Sequence, residues 1–354
     1  MSVKRGVATS GLNPSLVVVD HKSKLNVFKK FMIAANVLLF VSVGCAMGAF
    51  ASSSKSSDVA PVPSLAQLDK ILAKSIKQSN LPAHLVPSLT KIFENQNIQG
   101  SAYLRSSCDP YIKNAEALNP VPCWYGSVTA TRTVVIFGDS FVGNWIPALN
   151  IAGKKLGFRV AEFEFQGCPS IFVRPGPPIA GFDLNEVNAC INFHKNLPRA
   201  VDKINPFAVI AASSEGSADD TRDFVTILRN TFDALSTASN HPIRILLGTG
   251  PLLTETAPSC LASHPNNINV CNFSYTSGSA FGTALAVDRA AISGASVHLI
   301  ATYKWTCLNG VCPVVIGNLD VYADADHLTI PFSKFLSDVL EKALAPLLNN
   351  LISK

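Results

Sequence analysis

The apolar and polar positions of this 354-residue chain fall into three zones. From Phe31 to Ser54 no residue is charged, and the most apolar part ends near Ala51. About 20 apolar residues span a bilayer core, so residues 31–51 predict one membrane-crossing helix or the core of a signal peptide. Residues 52–64, rich in Ser, Ala, Val and Pro, read as a linker. Leu65, Leu68, Leu72 and Ile76 then recur at helical spacing, and Leu85–Phe93 predicts a second short helix broken at Pro87. The stretch from 52 to 122 is therefore a linker with a helical extension packed on the main domain.

In the third zone, 123–354, strands and helices alternate. Thr133–Phe137 is a short apolar run of the kind buried on both faces of a sheet. Val142, Ile146, Leu149 and Ala152 come next at helical spacing as far as Gly157. Further strands are predicted at Arg159–Phe165, Phe207–Ala212, Ile243–Leu247 and Val297–Ala301, with helices at Asp220–Ala238 and Phe281–Ser293. Thr329-Ile330-Pro331 is a good start for a last helix running towards Leu348, because an early proline gives up an N–H that has no helical partner. The expected fold class is α/β, a three-layer α/β/α sandwich around a mainly parallel sheet, preceded by one transmembrane helix.

Charge refines the picture of the first zone. Of the formal charge of +5, all sits in residues 1–30, where Lys4, Arg5, Lys22, Lys24, Lys29 and Lys30 face Asp20 alone. The rest of the chain is formally neutral, which excludes a nucleic-acid binder relying on a basic folded surface. Lysines before an apolar run favour the cytoplasmic side. Residues 1–30 are thus expected to be a cytoplasmic tail, with everything after residue 51 exported. Ala49-Phe50-Ala51 resembles a cleavage site, whereas the length of the run and its 30-residue leader favour an uncleaved anchor. The expected location is the cell membrane, with an extracytoplasmic C-terminal domain, or secretion if the segment is cleaved.

Cysteine usage agrees with export. Outside the apolar run there are eight: Cys108, Cys123, Cys168, Cys190, Cys260, Cys271, Cys307 and Cys312. An even set in an exported domain predicts disulfides. Pairing of nearest neighbours (108–123, 168–190, 260–271, 307–312) is the economical expectation among 105 combinations. No C-x-x-C pair and no nucleotide motif points to a metal or other cofactor, and none is expected.

The first buried strand ends in Phe137-Gly138-Asp139-Ser140, directly before a helix. This places the Ser140 hydroxyl at the carboxyl end of a strand, where α/β sheets gather their ligands, and at the positive end of a helix. The rival reading makes Ser140 a helix cap. A serine nucleophile needs a base, and the base needs an orienting acid. His21 and His84 lie in the leader and the extension. His194, His241 and His264 are expected in polar or turn-like surroundings, and His298 within a strand as a structural residue. His327 differs, because Asp324-Ala325-Asp326-His327 is a polar loop just before the last helix. Asp324 is placed to hold the imidazole, while Asp326 is assigned no catalytic role.

Gly138-Asp139-Ser140 and Asp324-x-x-His327 resemble the first and last blocks of the SGNH/GDSL hydrolases. The likeness is nearer still to the SGNH domains fused behind acyltransferase-three membrane proteins, which O-acylate cell-surface glycans. Thr133–Leu149, Gln166–Ser170, Cys307–Thr329 and the extension Leu81–Leu89 carry it. The resemblance implies a triad of Ser140, His327 and Asp324. It also implies an oxyanion hole built from the Ser140 N–H and from Gly167. The family's third-block asparagine is replaced by Ala211-Ala212-Ser213-Ser214, leaving Asn144, Ser213 or Ser214 as substitutes.

The function expected is that of a cell-envelope serine esterase or O-acyltransferase working through an acyl-Ser140 intermediate on an acylated glycan or glycolipid. A transferase would need a separate membrane protein to deliver the acyl group. The alternative is a catalytically silent glycan-binding or scaffolding subunit, supported by the missing asparagine.

Overall fold

The computed structural model of the chain describes residues 60–62, 64–94, 116–172, 184–212, 214, 224–236, 241–277 and 279–349. The apolar run 31–51, Cys45, Cys108 and Ser213 lie outside them. Among the described residues no helix is long and apolar enough to cross a membrane.

Helix α1 (Leu65–Ser75) starts where the Ser64 hydroxyl accepts the N–H of Gln67, and it buries Leu68 and Leu72 completely. Burying a leucine fully is worth about 1.5–3 kcal/mol, so this amphipathic helix belongs to the core. Helix α2 is shorter than the apolar spacing suggested, Leu89–Glu94, because Val86 leaves the helical path and bridges to Leu319 instead.

The chain then runs through β1 (Cys123–Gly126), β2 (Thr133–Gly138), α3 (Phe141–Leu156), β3 (Arg159–Glu164), α4 (Leu184–Ile204), β4 (Ala208–Ala212), α5 (Phe224–Ala234) and β5 (Ile243–Leu247). After these come α6 (Ala257–Ser263), β6 (Phe273–Ser274), α7 (Ala280–Gly294), β7 (His298–Ile300), the two-residue strands β8 (Val311–Cys312), β9 (Val315–Ile316) and β10 (Leu319–Asp320), then α8 (Ile330–Phe335) and α9 (Ser337–Asn349).

Six strands form the central sheet in the order β1-β3-β2-β4-β5-β7. All neighbours are parallel except β1, which runs antiparallel along β3 at the edge. Side chains alternate across a strand. Val134 and Ile136 of β2 therefore enter one apolar cluster with α1, α3, α8 and α9. Val135 and Phe137 enter the other with α4 and α5. These are the three layers that the alternating pattern predicts.

The five apolar runs all become strands, with ends shifted by no more than two residues. The elements not anticipated are β1, α4, α6 and the two-residue strands β6, β8, β9 and β10. The last helix is divided at Leu336 into α8 and α9, although its start is as expected, with the Thr329 hydroxyl accepting the N–H of Phe332. His298 lies on a strand as expected, the edge strand β7, but with its side chain exposed. His194 needs correction: it is buried on α4, stacked on Phe172 at 4.9 Å.

Candidate active site

Strand order reverses around β2: the chain moves from β2 to β3 on one side, then crosses back to β4 on the other. Such a switch point opens a crevice at the carboxyl ends of the strands. Ser140 stands there. The end of β2 is tightly built. Gly138 has φ of +145°, and a Cβ added to it would lie 1.8 Å from the Ala212 carbonyl oxygen of β4. Only glycine fits.

Asp139 is buried, and both of its carboxylate oxygens are engaged. Oδ1 accepts the N–H of Phe141 at 2.9 Å, and Oδ2 accepts the N–H of Ser214 at 2.8 Å. The capping of α3 thus falls to Asp139, and the Ser140 side chain makes no capping hydrogen bond. That removes the plain reading of Ser140 as a helix cap.

The Ser140 hydroxyl instead meets the loop before α8. Ser140 Oγ lies 2.7 Å from His327 Nε2, and His327 Nδ1 lies 2.8 Å from Asp324 Oδ2. The loop that carries them is fixed from within. Asp324 Oδ1 accepts the N–H groups of Asp326 at 3.0 Å and His327 at 2.8 Å, and the N–H of Ala323 donates to the His327 carbonyl at 2.8 Å. It is also tied to α3. Asn144 Oδ1 accepts the N–H of Leu328 at 2.8 Å, and the Ser333 hydroxyl donates to the Asn144 carbonyl at 2.6 Å. The sequence placed Asn144 among the oxyanion donors and did not reveal this link between helix and loop.

Asp326 also departs from expectation. Its Oδ1 lies 3.1 Å from the same Nδ1 of His327, so the imidazole faces two carboxylates rather than one. Burial alone would lower the His327 pKa, but hydrogen bonds and charge from Asp324 and Asp326 raise it to about 11. Burial would likewise raise Asp324, yet its hydrogen bond to His327, the imidazole charge and two backbone N–H groups bring it to about 2.

Gly167 lies just beyond β3. With φ of +68° it forms a turn in which the Cys168 N–H donates to the Phe165 carbonyl at 3.0 Å. The Phe165 N–H donates to the Gly138 carbonyl at 3.0 Å, which keeps this turn beside the end of β2. The Cys168–Cys190 disulfide ties the turn to α4. Cys260–Cys271 and Cys307–Cys312 are also bonded, as nearest-neighbour pairing predicts. Cys123 is disulfide-bonded, while its expected partner Cys108 lies outside the described residues.

Three clusters bring potential metal ligands together among the described residues. In two of them, Cys168–Cys190 with His194 and Cys260–Cys271 with His264, the sulfurs are in disulfides and offer no thiolate. The third is Asp324, Asp326 and His327, where both ring nitrogens already have hydrogen-bond partners.

A cavity of about 20 Å³ adjoins the site, lined by Phe141, Asn144, Trp145, Tyr303, Asp326 and Leu328 among others. A larger one of about 650 Å³, walled by Leu65, Ile300, Trp305 and Val339, contains no residue of the Ser–His–Asp group.

The family model of the SGNH domain (fused to AT3 domains) matches residues 109–342. Among solved structures, the chain is similar to the periplasmic domain of the lipopolysaccharide acetyltransferase of Salmonella ser. Paratyphi A. Identity is 17%, with 76% of this chain and 98% of that chain covered and a TM-score of 0.49. It is also similar to the aryl esterase of M. smegmatis and to a carbohydrate acetylesterase from Sinorhizobium meliloti. Both are 14% identical and cover 61% of this chain and 99% of theirs, with TM-scores of 0.37 and 0.34. No curated protein matches the chain in sequence. The family match spans well over half of the residues, and the chain belongs to the SGNH domains that occur fused to AT3 domains, with the hydrolase or acyltransferase chemistry of that type.

Proposed function

We propose that this protein is a cell-envelope serine esterase or O-acyltransferase that works through an acyl-Ser140 intermediate on an acylated glycan or glycolipid. The observation that carries the reading is the unbroken chain from Ser140 Oγ to His327 Nε2 at 2.7 Å and from His327 Nδ1 to Asp324 Oδ2 at 2.8 Å. A silent scaffold has no need of such a chain.

In this mechanism Ser140 Oγ attacks the ester carbonyl carbon, and its proton passes to His327 Nε2. Charge grows on the carbonyl oxygen, where the backbone N–H groups of Ser140 and Gly167 are assigned as donors. One such donor is typically worth about a hundred- to a thousandfold in rate. The bond to the leaving oxygen breaks as His327 returns the proton to it, leaving the acyl group on Ser140. Water or a glycan hydroxyl then attacks, gives its proton to His327, and releases the acyl product as Oγ is reprotonated. Asp324 holds the imidazole throughout without taking its proton.

The neutral surface after residue 30 and the paired cysteines support an exported domain, held to the membrane by residues 31–51. In the transferase case a separate membrane protein supplies the acyl group.

The test is turnover of a small chromogenic acetate ester, with and without a sugar acceptor. A wild-type rate that Ser140→Ala and His327→Ala both bring to background is expected. Acylated sugar in place of free acetate assigns transfer over hydrolysis. Undiminished turnover by Ser140→Ala contradicts the mechanism.

A further inference from the structure

Nδ1 of His327 is hydrogen-bonded to one acid and lies within ion-pair distance of a second. Asp324 is held rigidly: its Oδ1 takes two backbone N–H groups, leaving Oδ2 for the imidazole at 2.8 Å. Asp326 comes from the residue adjacent to His327 and brings Oδ1 to 3.1 Å from the same nitrogen. Its side chain is 21% exposed and that of His327 18%, so water screens their attraction only in part. Among the described residues His327 is the only cation within ion-pair distance of Asp326.

We propose that Asp326 is a positioning residue of the active site, a second carboxylate that shares Nδ1 of His327 with Asp324 and sets how strongly the imidazole holds its proton. The proposal rests on the reading of His327 as the base for Ser140. It assigns Asp326 no contact with substrate; the residue acts through the imidazole.

The groups that face the ring come from its own loop and from the elements packed against it. On the loop these are Asp324 and Asp326. From the β2–α3 side come the Ser140 hydroxyl and the Phe141 ring, whose centroid is 5.8 Å from that of the imidazole. Tyr322, fully buried below the loop, has its hydroxyl pKa raised by burial, which outweighs the lowering hydrogen bond with Thr306, with a smaller rise from the charge of Asp326, so it remains a neutral phenol. The two carboxylates are therefore the charges that dominate at Nδ1.

The consequence follows from charge. One carboxylate suffices to fix the tautomer and orientation of an imidazole. A second adds negative potential at the same nitrogen, which favours the imidazolium. That form is the one generated as Ser140 attacks, so its stabilisation lowers the barrier once the neutral base is present. The opposing effect is that fewer molecules hold the neutral base at neutral pH. Asp326 therefore moves activity toward higher pH while strengthening the base that acts there.

The test is an NMR titration of the His327 ring in histidine-labelled protein, with the signal assigned by its loss in His327→Gln. An opposite charge this close commonly moves a pKa by about one to three units. Asp326→Asn, nearly the same shape without the charge, is expected to lower the His327 midpoint by about one unit, a tenfold change in the acid constant. The acid limb of kcat/KM for an acetate ester should move the same way. Asp326→Glu keeps the charge and should stay within a few tenths of a unit of wild type. An unmoved midpoint in folded Asp326→Asn overturns the proposal. So does an equal fall in Asp326→Glu, which would trace the effect to packing. The titration needs no turnover, so failure of Ser140 as nucleophile would show in the ester assay alone and would be told apart from failure of this proposal.

Discussion

The side-chain oxygen of Asn144 accepts the backbone N–H of Leu328 at 2.8 Å, so the helix that begins beside Ser140 directly holds the residue beside His327. Ser140 and His327 are 187 residues apart in sequence, and this contact sets their spacing together with the Ser333 hydroxyl on the Asn144 carbonyl. The two halves of the site are locked by one buried amide.

Replacing it tests the lock. Asn144→Leu leaves the buried Leu328 N–H without an acceptor, which costs about 1–3 kcal/mol. It also loosens His327, and a displacement of about 1 Å at a reacting group lowers rates about a hundredfold. Asn144→Asp keeps the acceptor but loses the amide donor. If Asn144 is a strut, Asp retains most of the activity that Leu loses. If instead it donates to the oxyanion, both variants fail alike. Steady-state rates with thermal unfolding as a folding control decide it.

The pKa shifts give opposite pH windows. Asp324 lies below its ordinary 3.8, at about 2, so its contribution to stability is present above 3.8 and is lost as pH falls through about 2. His327 lies above its ordinary 6.5, at about 11, so its contribution is full below 6.5 and is lost as pH rises through about 11. Glu162 adds a loss at lower pH: burial raises it from 4.5 to about 8, against the Tyr125 hydroxyl that donates to it at 2.8 Å, so its contribution is full below 4.5 and is lost as pH rises through about 8. The informative quantity is therefore a difference. The Tm gap between wild type and His327→Gln should be widest near neutrality or below and should shrink steadily above pH 6.5. In parallel, wild-type kcat/KM should still be rising above about pH 8. A flat gap and a neutral optimum would contradict the raised His327 pKa.

Much of this site was legible in the sequence, for physical reasons that can be named. Thr133–Phe137 is buried on both faces, so it stands out as a continuous apolar run, and its end pointed to Ser140. The i to i+3 spacing of Asp324 and His327 brings the two together within one turn of loop. The approach of Asp326 to His327 was not anticipated, because adjacency in sequence says nothing about which way a side chain points, and here the turn closed by Asp324 Oδ1 brings both acids to one nitrogen. Asn144 was read only as an oxyanion donor because a buried polar residue near Ser140 suggests chemistry, and the hold of its side-chain oxygen on the Leu328 N–H has no signature in the sequence. Helix α4 does carry Val187, Cys190, Phe193, Leu197 and Val201 on its buried face. That spacing was visible but masked by Pro198 and by polar residues between. Strand β1 is only four residues long and antiparallel at the sheet edge, too short for any pattern.

The Gly167 turn depends on its disulfide. Removing the bridge with Cys168→Ser and Cys190→Ser should cost about 2–5 kcal/mol of stability. It should also lower activity more than the loss of Cys307–Cys312, which holds a segment outside the proposed oxyanion hole. Alkylation of the native protein should modify none of Cys168, Cys190, Cys260, Cys271, Cys307 and Cys312 until a reductant is added. Mass spectrometry of alkylated peptides checks this, and label on any of the six in the unreduced, folded protein counts against it.

The extension is part of the fold. Leu68 and Leu72 are fully buried in the cluster that holds α3 and α9. Leu72→Ala should destabilise by about 2–5 kcal/mol, read by denaturant unfolding. A loss below about 0.5 kcal/mol, the range of surface substitutions, would mean that α1 is peripheral.

The central claim is that Ser140 is the nucleophile, and covalent capture tests it most directly. The protein is treated with a serine-reactive phosphonate, then digested and mapped by mass spectrometry. One adduct is expected, on the peptide containing Ser140, absent from Ser140→Ala and formed far more slowly by His327→Ala. An adduct on another serine, or equal labelling of Ser140→Ala, would contradict the account.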